Sequence, residues 1–196
     1  MIPLGSKGYI GKQGFTGNVN EDPELGFYTP NYEFVQDIGS LKLNSGLQMG
    51  YPFSIFNNEV LYWRTLDREI YSIDEDLNFD VKYVVDFVGK NVPDFDFKDD
   101  YMKIQYINTV PEAYAVCLFD VEETDDYVSF VFLYGKTKNV AIYSKTTNST
   151  SVCKFSWGHT ESLNTIIPHK DKIIVVTDQE NGNSIVYLMD IDDIIK

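Results

Sequence analysis

Val60-Leu61-Tyr62-Trp63, a polar turn, and then Ile70-Tyr71-Ser72 make a unit that this chain uses three times. The second copy is Val128-Ser129-Phe130-Val131-Phe132 followed by Ile142-Tyr143-Ser144, and the third is Ile173-Ile174-Val175-Val176 followed by Val186-Tyr187-Leu188. Each is a β-branched or apolar run, a stretch of turn formers, and a second run that opens on an aliphatic–Tyr pair. Such side chains fit a pleated, half-buried surface, so each unit reads as two paired strands. Strand pairs that recur in this way mark an array of similar small antiparallel sheets. The repeat specifies an architecture and carries no chemistry of its own.

Working outward, polar turns separate the paired strands: Asp67-Arg68-Glu69, Gly135-Lys136-Thr137-Lys138-Asn139, and Gln179-Glu180-Asn181-Gly182-Asn183. Asn181-Gly182 is a hairpin signal because both residues tolerate positive φ. Further strands are expected at Val81–Phe87 and Thr150–Phe155. The run Val128–Tyr134 is apolar with almost no alternation, as expected for a middle strand covered on both faces. Residues 1–50 differ: Gly5, Gly8, Gly11, Gly14, Gly17 and Gly26, with Pro3, Pro23 and Pro30, predict loops and short edge strands near Tyr32–Val35 and Leu41–Leu43. The expected division is a Gly/Pro-rich segment at 1–50 and an array of sheets at 51–196, with an insertion near 93–111. Within that insertion, 97–104 reads equally as a short helix or a strand.

The chain has 196 residues, 43% hydrophobic and 15% aromatic. That is enough to bury a core without metals or disulfides. Thirty acidic against 16 basic residues give a net charge of −14, which argues against a nucleic-acid partner and against anionic lipid. Cys117 and Cys153 lack the paired spacing of zinc or redox motifs and read as free thiols in apolar strands, with a disulfide as the alternative. The opening Met1-Ile2-Pro3-Leu4-Gly5-Ser6-Lys7 has no apolar stretch of the signal-peptide kind, and no run approaches the ~18 apolar residues of a membrane span. Location is therefore not read from these residues.

Seventy-two residues separate Tyr71 from Tyr143 and 44 separate Tyr143 from Tyr187. A four-stranded propeller blade takes about 40–50 residues, so the first interval holds the insertion. Three pieces then resemble the six-bladed β-propeller proteins, TolB-like or NHL-like, that gut anaerobes export as lipoproteins. These are Arg68-Glu69-Ile70-Tyr71-Ser72-Ile73, Lys82-Tyr83-Val84-Val85-Asp86-Phe87-Val88-Gly89-Lys90-Asn91-Val92-Pro93, in which Val88 interrupts the family's Asp-Phe-Gly, and the closing Ser184-Ile185-Val186-Tyr187-Leu188-Met189. The resemblance covers about residues 50–196. It implies an all-β fold, a partial propeller of about three four-stranded blades, and an exported, periplasmic or outer-membrane-associated setting. Family members are roughly twice as long, so the chain resembles the C-terminal half of a propeller or a degenerate copy.

No catalytic residue is assigned. There is no Gly-x-Ser-x-Gly elbow, and the two histidines, His159 and His169, fall in turn-like sequence. Asp74-Glu75-Asp76-Leu77-Asn78-Phe79-Asp80 opens like a calcium loop, but Phe79 takes the place of the turn glycine and Val85 that of the bidentate Glu. No metal ligand or cofactor is assigned; Ca²⁺ is the one ion the acidic clusters would suit if brought together. Asn148-Ser149-Thr150 matches a glycosylation acceptor at chance level. The candidate binding residues are Trp63 with Arg64 and Trp157 with His159, as a stacking platform for a protein, peptide or glycan. Packing between sheets is the alternative for both tryptophans. The function expected is a non-catalytic binding or scaffold module. The alternatives are a lactonase-like propeller hydrolase with a central divalent cation and a truncated fragment without an independent role. Exposed blade edges would also allow a homodimer.

Overall fold

A computed structural model describes residues 1–13, 23–42, 51–92, 113–135, 137–154 and 161–195, together with the single positions 102, 105 and 109. The described residues form four antiparallel sheets whose strands lie side by side in chain order. The first holds β1 (Ile2–Leu4), β2 (Gly8–Lys12), β3 (Pro23–Tyr28) and β4 (Phe34–Lys42). The second holds β5 (Phe53–Phe56), β6 (Glu59–Trp63), β7 (Glu69–Ile73) and β8 (Phe79–Val84). The third holds β9 (Ala115–Glu123), β10 (Tyr127–Tyr134), β11 (Thr137–Ser144) and β12 (Ser149–Lys154), and the fourth β13 (Glu161–His169), β14 (Lys172–Gln179) and β15 (Ser184–Asp190). A single helical turn, α1 (Ile191–Ile194), follows.

The three repeated strand pairs are β6–β7, β10–β11 and β14–β15, with Tyr62 opposite Tyr71, Val128 opposite Tyr143 and Val175 opposite Tyr187. Gly182, at φ 82°, makes the β14–β15 turn, where the Gln179 amide donates to the Asn183 carbonyl. The N-terminal segment supplies a whole sheet, raising the count above the three blades expected. In place of the two short strands expected at Tyr32–Val35 and Leu41–Leu43 there is one strand, β4, which runs from Phe34 to Lys42 through Gly39 at φ 66°, while Leu43 lies outside the described residues. Strand β8 stops at Val84, short of the expected Phe87, because Val85–Asn91 turns away. The insertion, with its helix-or-strand ambiguity at 97–104, lies almost entirely outside the described residues, as does the side chain of Cys117; Cys153 is a free, half-buried thiol.

The sheets stack face to face and the core lies in the three seams between them. Alternate residues of one strand feed opposite seams, because successive side chains point to opposite faces. In β6, Val60 and Tyr62 enter the seam with the first sheet, while Leu61 and Trp63 enter the seam with the third. In β10, Val128, Phe130 and Phe132 face the second sheet and Val131 the fourth. Two-sided burial is why these strands read as continuous apolar runs. The innermost strands of neighbouring sheets pack on one another, β5 on β9 and β9 on β13, so the outer strands splay apart. The end sheets have one seam each. On the outer face of the fourth, Ile167, Ile174 and Leu188 are aligned across three strands, beside Val176 and Val186; Val186 and Leu188 are 60% and 65% exposed.

Charged groups bridge each seam. Between the first and second sheets, the buried Glu24 lies 3.1 Å from Lys12 Nζ and 3.6 Å from Arg64 Nη1, and Arg64 Nε lies 2.6 Å from Asp67. Between the second and third, the buried Glu123 accepts from Lys145 Nζ (2.6 Å) and the Tyr83 hydroxyl (2.7 Å), with Lys82 Nζ at 3.0 Å; Lys82 also binds Glu59. Between the third and fourth, His169 Nδ1 is 3.5 Å from Glu122, and the Tyr127 hydroxyl donates to Asp192. Burial alone would push the Glu123 carboxyl up, but the bonds from Lys145, Tyr83 and Lys82 override it and hold it below its ordinary value.

Two outcomes are expected. The Cβ of Gly39→Ala would sit 2.7 Å from the Phe79 ring across the first seam, at φ 66°, so the substitution should cost about 1–3 kcal/mol in urea denaturation. Because Glu123 binds its proton less readily folded than unfolded, its contribution is present above the ordinary carboxylate range and is lost as pH falls through the lowered native value. Wild-type stability should therefore fall more steeply than that of Glu123→Gln between about pH 5 and pH 3, and equal slopes would show that the bridge contributes nothing.

Candidate functional site

Trp63 ends β6 with 1% of its surface exposed, inside the cluster shared by the second and third sheets. Alternation along β6 sends it there, and a ring packed on both faces offers none to a ligand. The next residue, Arg64, is bound into the Glu24–Asp67 group; burial opposes its charge, and the two carboxylates keep it protonated. Beside them, burial and the Glu24 carboxylate push the Tyr62 phenol far above its ordinary value. This is a charge-balanced group: Lys12 and Arg64 against Glu24 and Asp67. The other expected pair, Trp157 and His159, lies outside the described residues.

The loop that opened like a calcium site is an Asx turn. The Asp74 carboxylate accepts from the amides of Asp76 and Asn78 and from Asn78 Nδ2, which hold it below its ordinary value. Lys7 Nζ of the first sheet donates to the Glu75 carbonyl and Asp76 Oδ1. Local donors thus use the oxygens that a cation would need. Among the described residues, no three His, Cys, Asp or Glu side chains are grouped to hold a metal ion.

Among the described residues, a cleft of about 640 Å³ lies between the second and third sheets. Its floor is Ile70, Ala115, Val128, Phe130 and Ala141, and its walls include Tyr83 and Val84 of β8, Tyr134 of β10, Tyr143 of β11 and Val152 of β12. Two contacts order the aromatic wall: the Phe87 and Phe132 rings are 5.0 Å apart, and Lys90 Nζ lies 5.7 Å over the Tyr134 ring. Val84 and Val152 are 61% and 59% exposed, so the mouth is apolar as well.

One rim is a turn held by its own side chains. Asp86 Oδ1 accepts from the Val88 amide and Asn91 Nδ2, while Asn91 Oδ1 accepts from the Phe87 amide. Val88 sits at the turn's crest at φ 37°, 82% exposed, followed by Gly89 at φ 74°. A β-branched residue pays for left-handed backbone, and such strain persists only where the surroundings over-determine it. The Asp86-Phe87-Val88-Gly89-Lys90-Asn91 stretch was legible as a motif, but its place at a cleft was not. That β8 and β12, in different sheets, flank one cleft has no sequence signal.

Four sheets in chain order, packed face to face with their first strands innermost, define blades of a β-propeller. A family model described as a 6-bladed beta-propeller matches residues 40–165, and the chain belongs to that family. The chain is also similar in structure to a Bacteroides fragilis protein, described as a candidate exported protein, with a TM-score of 0.65 at 16% identity. The match covers 86% of this chain and 58% of that one, so this chain spans little more than half of its structural neighbour. No curated protein matches the sequence.

Val88→Gly should raise stability by about 1 kcal/mol in urea denaturation, since glycine adopts positive φ freely and the exposed side chain packs on little. An unchanged or lowered midpoint would show that the turn is relaxed.

Proposed function

We propose that the chain is a non-catalytic binding module of the propeller type, and that it takes its ligand in the cleft between the second and third sheets. The observation that carries this reading is the open apolar cleft of about 640 Å³. That size and composition suit a small molecule or the apolar side chains of a peptide. Polar groups are few and lie at the edge: Asp86 and Lys90 on the turn and Thr150 on β12. Apolar contact would supply affinity there, and these groups would fix orientation. An aromatic wall of Tyr83, Phe87, Tyr134 and Tyr143 also suits a sugar ring, but the aliphatic mouth formed by Val84 and Val152 favours a peptide. The family resemblance and the description of the structural neighbour support an exported setting for the protein.

Panning the purified chain against a displayed random-peptide library tests the assignment. Peptides selected on the wild type should lose at least about tenfold in affinity, roughly 1.4 kcal/mol, against Val84→Glu or Val152→Glu. Both side chains are exposed, so each variant should keep the wild-type melting temperature. Peptides that bind the folded variants as tightly as the wild type would place binding elsewhere.

A further inference from the structure

In a chain of net charge −14, lysines find carboxylates close by: Lys7, Lys12, Lys82, Lys145 and Lys172 each bind one. Lys90 and Lys154 do not. Among the described residues neither is in an ion pair, and the partner of the Lys90 ammonium is the face of the Tyr134 ring, 5.7 Å away. Register brings both lysines to one end of the cleft between the second and third sheets. The Ala115 amide donates to the Lys90 carbonyl at 2.7 Å, and Ala115 lies opposite Tyr134, the last residue of β10. Lys154 ends β12 opposite Asn139, which itself lies opposite Phe132 of β10. It shares its strand face with Thr150 and Val152, both of which line the cleft. Elsewhere the polar groups of the cleft are already taken. Toward Val128, the Tyr83 hydroxyl and Lys145 are bound to Glu123, and the Tyr143 hydroxyl to Asn148. On the rim, the Asp86 carboxylate is met by the Val88 amide, Asn91 Nδ2 and the nearby charge of Arg68. The cleft is thus apolar along its length, with unpaired positive charge at its Tyr134 end.

Resting on the assignment of this cleft to a peptide, we propose that the peptide enters with its C-terminus at the Tyr134 end, its free carboxylate held by Lys90 and Lys154 and its last apolar side chains on the floor. Charge complementarity selects this occupant. Two unpaired ammonium groups beside an apolar surface call for an anion, and bonds between charged partners are the strong ones. The terminal carboxylate is the anion that every free peptide carries, and it stands at one end of the chain as the lysines stand at one end of the cleft. A peptide with many acidic side chains would instead be repelled by the field of a protein at −14.

Peptides selected on the wild-type chain from a library with free C-termini, resynthesised as the acid and as the C-terminal amide and titrated by calorimetry, test this. The acid should bind the wild type about tenfold more tightly than the amide. On the double variant Lys90→Gln with Lys154→Gln the two forms should bind within about twofold of each other. Both lysines are exposed, so that variant should keep the wild-type melting temperature. An amide that binds the wild type as tightly as the acid would overturn the inference, and the cleft assignment would still stand if Val152→Glu weakens both forms. Binding indifferent to Val152→Glu, or a selection that yields no binder, would overturn the cleft assignment and this inference together. An acid preference that survives in the double variant would remove the two lysines from the role given them here. A C-terminal amide ending in Glu that matches the acid would overturn the terminal carboxylate in favour of a side chain.

Discussion

Everything in this chain depends on the seam between adjacent sheets. A four-stranded sheet of about 30 residues cannot bury its apolar side chains within itself, because both its faces point away from it. The second and third sheets are stable only as inner members of a stack, and the sequence reflects this at single-residue resolution: Tyr62 and Trp63, adjacent in β6, belong to different cores. The ionic groups follow the same logic. Glu24 and Glu123 are buried carboxylates at the borders of seams, each held by two cations from strands or turns that the stacking brings together. Removing one partner would leave a charge buried and uncompensated, so such bridges enforce the alignment of neighbouring sheets more than they add net stability.

The architecture was legible where burial is two-sided. Val128–Tyr134 and Val60–Trp63 declare themselves as inner strands because apolar residues face both neighbours, with the small Ser129 as the one polar residue in the first run. The N-terminal sheet was less legible. Its glycines read as punctuation, whereas Gly11 and Gly26 are strand residues that make room for the Met1, Tyr28 and Phe34 side chains above them, and Gly39 lets Phe79 approach. A glycine required by a neighbour that is distant in sequence looks the same as a glycine required by a turn. Trp63 shows the matching limit for sites: a large aromatic beside an arginine is equally consistent with a binding platform and with a core, and only the packing decides between them.

The cleft belongs to the same geometry. Sheets that converge at their first strands, as β5, β9 and β13 do, diverge at their last, so the seams between these sheets open outward. Between the second and third sheets that opening is lined with rings and valines, and the turn Asp86–Asn91 stands at its edge with a β-branched residue in backbone suited to glycine. A propeller fold by itself implies no activity. What distinguishes this opening is its apolar lining and strained rim, and these are properties of particular residues.

Each sheet here is a meander of consecutive strands, and each seam joins a sheet to the one made immediately before it. Among the described strands, no pairing waits for a distant part of the chain. On the ribosome, a sheet can therefore form as it emerges and serve as the template for the next, so that each new sheet covers the face left bare by the one before it. The order of synthesis and the order of assembly then coincide, and a stall at any blade boundary leaves a shorter version of the same stack in place of a tangle.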